Sequence, residues 1–291
     1  MPARLRIVSV LFALLVSVAF PAAAQTTPQE PREDKDAAGA SATELSRKLA
    51  NPVSSTWSIA NQFNNFQLED GSWNHNWNFQ PMLPVSLTED WNLLTRPVVT
   101  VYNSVPIETA PGEFRNTTAF GDTILMEHLS PARTGHWLLG LGPTFVLPTA
   151  ASANTGQGKW QAGPSCVFGY LSKTYIVGVF PQQWWSFAGD PSRPSTNLLN
   201  LQPIGSLFFR DGWSVGYSGN ILANWNATPG NVWTVPVGIG VNKVVRFGRL
   251  PVKIGGSVQY MVVRPEPAGQ KWDIQIMITP VIPKLVKGTL L

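Results

Sequence analysis

The sequence predicts an all-β protein, a transmembrane antiparallel β-barrel of about 12 strands with a short N-terminal helix. Three observations predict it. From Val53 almost to the C-terminus the apolar residues recur with a period of two, the signature of strands whose successive side chains point to opposite faces. Charged residues make up 13% of the 291 and tryptophan reaches 12, whereas a soluble domain carries about twice that charge. Beyond residue 24 no apolar stretch approaches the roughly 18 to 20 residues of a spanning helix, and a single cysteine, Cys166, allows no internal disulfide.

The elements follow in order. Arg4 and Arg6, the apolar run from Ile7 to Phe20 and Ala22-Ala23-Ala24 make residues 1–24 a secretory signal peptide. No cysteine follows the cleavage site, so lipid attachment there is excluded. Residues 25–42 combine proline, alanine and charge with almost no apolar content and read as a flexible linker. Residues 43–52 read as a short helix, capped by Ser41 or Thr43 and stopped at Pro52. It is too short to stand alone in water, and Leu45 and Leu49 give it one adhesive edge.

Residues 53–291 form the barrel, with strands expected near 54–66, 72–81, 92–103, 117–128, 135–147, 158–170, 174–186, 197–210, 213–225, 232–243, 251–263 and 271–282. The stretch SWNHNWNFQP, residues 72–81, shows the logic: Trp73, His75, Trp77 and Phe79 alternate with Asn74, Asn76, Asn78 and Gln80. Asparagine is depleted from ordinary strands, so a neutral, amide-rich face suits a wet lumen with the aromatics turned to lipid. The segments at 213–225, 232–243, 251–263 and 271–282 alternate in the same way, and Trp213, Trp225, Trp233 and Trp272 fall at strand ends, where membrane interfaces favour aromatics. By parity the lumen receives Asn74, Asn76, Asn78, Gln80, Arg96, Lys159, Gln161, Arg210, Lys253, Asp273 and Gln275.

A soluble sandwich also alternates, and the connections argue against one. Asp211-Gly212 and Leu171 to Lys173 are tight turns; the links at 104–116, 148–157, 187–196 and 264–270 are longer. With the N-terminus in the periplasm, short turns lie inside and long loops outside, the habit of bacterial outer-membrane barrels. The long link at 82–90 and the short one at Asp70-Gly71 do not fit that habit.

Candidate chemistry is sparse. His75, His128 and His136 lack the spacing of a metal motif. Glu127, His128 and Ser130 suggest a lipid hydrolase, but adjacent strand residues face opposite ways, so Glu127 cannot orient His128. Gly238 and Gly240 lack the residues of a phosphate loop and, like Gly140 and Gly142, read as small wall positions. No catalytic residue, cofactor or metal is expected. The net charge of +4 comes from scattered basic residues, which excludes a nucleic-acid footprint and leaves a weak preference of the interior for anions.

The segment ELSRKLANPVSSTWSIANQFN, with Asn51-Pro52-Val53, and the finish ITPVIPK, with Pro280 and Pro283-Lys284, resemble the outer-membrane proteins of the meta-pathway of phenol degradation, some of which carry the label neuromedin U. The resemblance covers most of residues 44–284. It implies an outer-membrane β-barrel concerned with transport of hydrophobic or aromatic compounds, and it carries over no catalytic residue. The terminal GTLL departs from the aromatic terminus that barrel-assembly machinery commonly reads.

The expected function is passive passage of a small, apolar or aromatic solute across a Gram-negative outer membrane, with membrane lipid, the solute and the assembly machinery as partners and no nucleic acid. The alternatives are a filled structural or adhesive barrel presenting loops 104–116 and 148–157, the lipid hydrolase, and a soluble secreted β-protein.

Overall fold

The computed structural model describes residues 39–291 apart from Gly112, Ser218, Pro267, Ala268 and Lys287. The expected signal peptide and all but the last residues of the expected linker lie outside the described residues. The first element is helix α1 (Ala42–Ala50), capped by the Ser41 side chain, which accepts from the Glu44 N–H at 3.1 Å.

Fourteen strand segments follow: β1 (Ser58–Leu68), β2 (Trp73–Ser86), β3 (Trp91–Ala110), β4 (Glu113–Ala119), β5 (Thr123–Pro131), β6 (Trp137–Leu147) and β7 (Lys159–Leu171). The second half comprises β8 (Tyr175–Gly189), β9 (Asn197–Phe208), β10 (Trp213–Tyr217), β11 (Ile221–Asn224), β12 (Trp233–Phe247), β13 (Leu250–Val263) and β14 (Gln270–Pro280). Both β4 and β5 pair with β3, and both β10 and β11 pair with β9 and β12, so each couple is one wall strand broken near its middle. The wall therefore has 12 strands, and the β1–β14 ladder closes it. Closure leaves no sheet edge unpaired, the condition for crossing a bilayer with strands.

The outer surface is the apolar one. Leu139, Leu141, Phe168, Val177, Val179, Leu207, Val237, Ile239, Val241, Val258, Ile274 and Ile276 all stand exposed on it, with Val237 at 59% and Ile276 at 49%. So continuous a belt has no place in water. Exposed aromatics rim it at both ends: Trp91, Trp137, Tyr175 and Trp213 at the end that carries α1, and Trp160, Trp185, Trp225, Trp233 and Trp272 at the other. Trp77 is half-buried on the same outer face, stacked on Phe63 with ring centroids 5.9 Å apart. A soluble sandwich would hide these side chains between sheets.

Tight turns collect at the helix end and longer connections at the other. Asp211 and Gly212 have φ of 55° and 78°, the left-handed pair that a type I′ hairpin requires. One misfit resolves itself: strand β2 runs on past Pro81 and Pro84 to Ser86, which leaves only residues 87–90 as the turn. The connection at Asp70-Gly71 stays short, between Leu68 and Trp73, and the expected loop at 104–116 is largely a hairpin of β3 and β4. The ladder is thinnest where prolines face one another: Pro143 stands opposite Pro164, and the β5–β6 pairing lapses between Met126 and Leu129 while its register is kept.

Candidate lumenal site

The interior is divided. On the side of β5 to β9, Met126, Leu138, Val167, Ile176, Phe180 and Phe208 form an apolar cluster against which Ala50 and Val53 pack, so the chain after α1 turns up into the barrel. Helix α1 lies across that end. Leu45 is fully buried with Ala40 and Val244. The helix is tied at several points: Arg47 Nε donates to the Ser172 carbonyl at 2.9 Å, Thr43 Oγ1 to the Phe209 carbonyl at 3.2 Å, and Arg246 reaches the Ala40 carbonyl.

On the opposite side, β14, β1, β2 and β3 present amides inward, and these join into one hydrogen-bonded run. Arg96 Nη2 donates to Gln80 Oε1 (2.7 Å), Gln80 Nε2 to Gln62 Oε1 (2.8 Å) and Gln62 Nε2 to Asn64 Oδ1 (2.9 Å). Asn64 Nδ2 continues to Asn76 Oδ1 (2.6 Å), and Gln275 joins at Asn64 Oδ1 (2.8 Å). Thr100 donates to Asn78 Oδ1 at 3.0 Å. The alternation of residues 72–81 thus sorts aromatics outward and amides inward, Asn76 and Gln80 into this network.

Between the network and the apolar cluster lies a cavity of about 190 Å³. Its lining includes Leu49, Pro52, Ala60, Gln80, Met82, Arg96, Ile204, Tyr217, Gly240, Lys253, Ser257, Gln275, Met277 and Thr279. Of the residues named by parity, Gln80, Arg96, Lys253 and Gln275 meet here. Asn74, Asn76, Asn78 and Asp273 share their faces above the cavity, and Gln161 is buried further round the wall, beside Gln157. Lys159 sits at the loop end, its Nζ on the Asp190 carbonyl at 2.7 Å. Arg210 is displaced from its expected place: β9 stops at Phe208, and Arg210 opens the exposed turn at the helix end. Other residues in the lining are Met82, which keeps the parity of Gln80 past the expected strand end at 81, Tyr217, and the α1 residues, signalled only by the Leu45/Leu49 edge.

His75 and His128 lie on opposite faces of the wall. His128 faces inward, bonded to Ser165 of β7 and edge-on to Phe180 at 5.4 Å, while Ser130 is separately buried. Glu127 faces outward, where it accepts from Thr95 Oγ1 at 2.7 Å. His75 is on the outer face with its Nδ1 2.7 Å from Asn65 Oδ1. Among the described residues no cluster of His, Cys, Asp or Glu could hold a metal ion, and no helix is long and apolar enough to cross a membrane.

At the loop end, Asp122 accepts from the Gln157 and Ala150 amides at 2.7 and 3.2 Å, and Arg193 donates to the Ala153 carbonyl at 2.8 Å. These bonds knit residues 148–158 and 190–196 into one fixed rim.

No family model and no curated protein matches the chain. Among solved structures, the COG4313 outer membrane channel from Pseudomonas putida F1 is similar at a TM-score of 0.55 and 12% identity, over 78% of this chain and 96% of that one. The Salmonella typhi outer membrane phospholipase dimer (TM-score 0.39, 10% identity, 84% of this chain and 100% of that one) is more remote. So is a Pseudomonas aeruginosa FadL homologue (0.36, 9%, 79% and 89%). The fold is that of a bacterial outer-membrane barrel.

Proposed function

We propose that this chain is an outer-membrane channel that lets small solutes cross passively. The observation that carries the reading is a closed barrel, apolar outside, whose polar cavity is narrowed at one end by α1 and the chain that follows it. On this reading residues 1–24 direct export and are removed, residues 25–42 tether the barrel, α1 marks the periplasmic end, and the assembly machinery inserts the product into the outer membrane. The joined rim faces the medium.

The solute we assign is small and at least partly apolar. Support comes from Met82, Met277, Ile204 and Leu49 in the lining, and from the resemblance of residues 44–284 to the meta-pathway type, whose members are associated with aromatic compounds. No catalytic role is proposed: His128 faces inward, away from lipid, and Glu127 outward. The apolar cluster beneath Val53 favours a second reading, a filled barrel that displays its loops.

Liposome swelling separates the two. Purified barrel in vesicles should admit solutes of a few carbons and reject larger ones, whereas no swelling with any solute supports the filled barrel.

A further inference from the structure

Resting on the channel reading, we propose that the lumenal cavity binds small organic carboxylates, with the carboxylate between Arg96 and Lys253 and the apolar body against Met82 and Met277. The two cations approach one hollow from different walls. Lys253 stands opposite Thr279, the β1–β14 ladder continued by one residue sets Thr279 beside Ala60, and Ala60 stands opposite Gln80, which Arg96 holds. Three interstrand steps of about 4.8 Å separate the Lys253 and Gln80 backbones, roughly 14 Å of wall. Ala60 on β1, between them, is small and leaves that space open.

The charge in this hollow is one-sided. No aspartate or glutamate lines it; Asp273, the inward carboxylate of β14, lies outside the lining. Among the described residues the Lys253 ammonium has no hydrogen-bond or ion-pair partner, and Arg96 commits one of its five N–H donors to a neutral amide. A half-buried cation without a counter-charge, as Arg96 and Lys253 both are, loses part of its hydration uncompensated, and a carboxylate supplies the missing charge to a guanidinium fork shaped for it. Two hydroxyls lining the cavity, Ser257 Oγ and Thr279 Oγ1, are buried without partners among the described residues and can donate to the same anion.

The rest of the lining is partly thioether and aliphatic, with Met277 on β14 and Met82 on β2 in the arc of wall between the two cations and Leu49 and Ile204 beside them, soft enough to fit bodies of differing shape. A volume of about 190 Å³ sets the size at a few carbons, since a water occupies about 30 Å³. A simple inorganic anion would leave those apolar groups unused.

Isothermal titration of the folded barrel in detergent tests the site. Hexanoate should bind saturably, one per barrel, and its neutral analogue hexanamide at least 10-fold more weakly. Lys253→Gln should weaken hexanoate at least 10-fold, and Lys253→Arg, which keeps the charge, should restore it; heat-modifiable migration confirms that each variant is folded. Equal binding of hexanamide, an unchanged Lys253→Gln variant, displacement by equimolar chloride, or no saturable binding would each overturn the proposal. Binding is read without flux, so a barrel that binds hexanoate and passes no solute refutes the channel and retains the site.

Discussion

Arg47 on α1 donates its Nε hydrogen to the carbonyl of Ser172, in the turn between β7 and β8, at 2.9 Å. One guanidinium thereby fastens the N-terminal helix to the rim of the barrel, while Leu45 anchors it from the other side. A nine-residue helix cannot hold itself together in water, so its presence depends on this docking.

Leu45→Asp should release the helix. A carboxylate at a position with 0% exposure meets a desolvation penalty of several kcal/mol, more than Arg47 and the backbone bonds return. Tryptic cleavage after Arg47 or Lys48 should become rapid in the variant and stay slow in the parent, with the barrel intact in both.

Two glycines that look alike in sequence should behave in opposite ways. A Cβ at Gly142 would lie 1.8 Å from the Glu127 carbonyl oxygen, whereas nothing lies within 4 Å of one at Gly205. Gly142→Ala should lower stability by at least the ~1–3 kcal/mol of an overpacked core, and Gly205→Ala should be neutral. Urea titration followed by heat-modifiable migration measures both.

Ser165→Ala should cost about 1–3 kcal/mol by stranding the buried His128 without its partner. Loss of a measurable lipase activity in the same variant would contradict the structural role assigned to this pair.

On the outer wall, Ile276→Arg should destabilise the barrel in lipid by about 2–4 kcal/mol, the price of a cation in mid-bilayer. The inward neighbour Gln275, changed to Ala, should leave folding nearly intact and alter solute preference instead. Refolding titrations in vesicles compare the two, and equal costs would contradict the assigned faces.

At the loop end, Glu69 is bonded to Arg264 and lies 3.8 Å from Lys271. The Arg264 guanidinium holds the Glu69 carboxyl below its ordinary value. A carboxyl with a depressed folded pKa contributes stability that is fully present above its unfolded value and is lost as pH falls through the folded one. Amide exchange in 264–271, corrected for intrinsic rate, should therefore rise on acidification below the ordinary glutamate range. Glu69→Gln should show the faster exchange already at neutral pH and no acid step.

How much of this was legible in the chain depends on which face carried the signal. Strands with one apolar and one polar face, such as residues 233–247 and 270–280, declared their orientation outright. Strand β1 did not, because Asn61 and Asn65 face outward, their amides donating to the carbonyls of Ile278 and Ile274, so polar residues occupy both faces. The breaks between β4 and β5 and between β10 and β11 were invisible for a related reason: the register against the neighbouring strand is the same on both sides of each, so parity carries over. Arg210 shows the limit at strand ends, where the alternation in sequence runs on past Phe208, the last residue of β9. The cavity needed three dimensions, since Arg96 and Lys253 lie 157 residues apart in the chain and meet only when the barrel closes.

Single-channel recording across a planar bilayer bears most directly on the central claim, that this cylinder conducts and is throttled by its own N-terminal helix. The parent barrel should open in small discrete steps, and Leu45→Asp, with its helix released, in steps several-fold larger. Silence from both proteins, or identical steps from both, would contradict it.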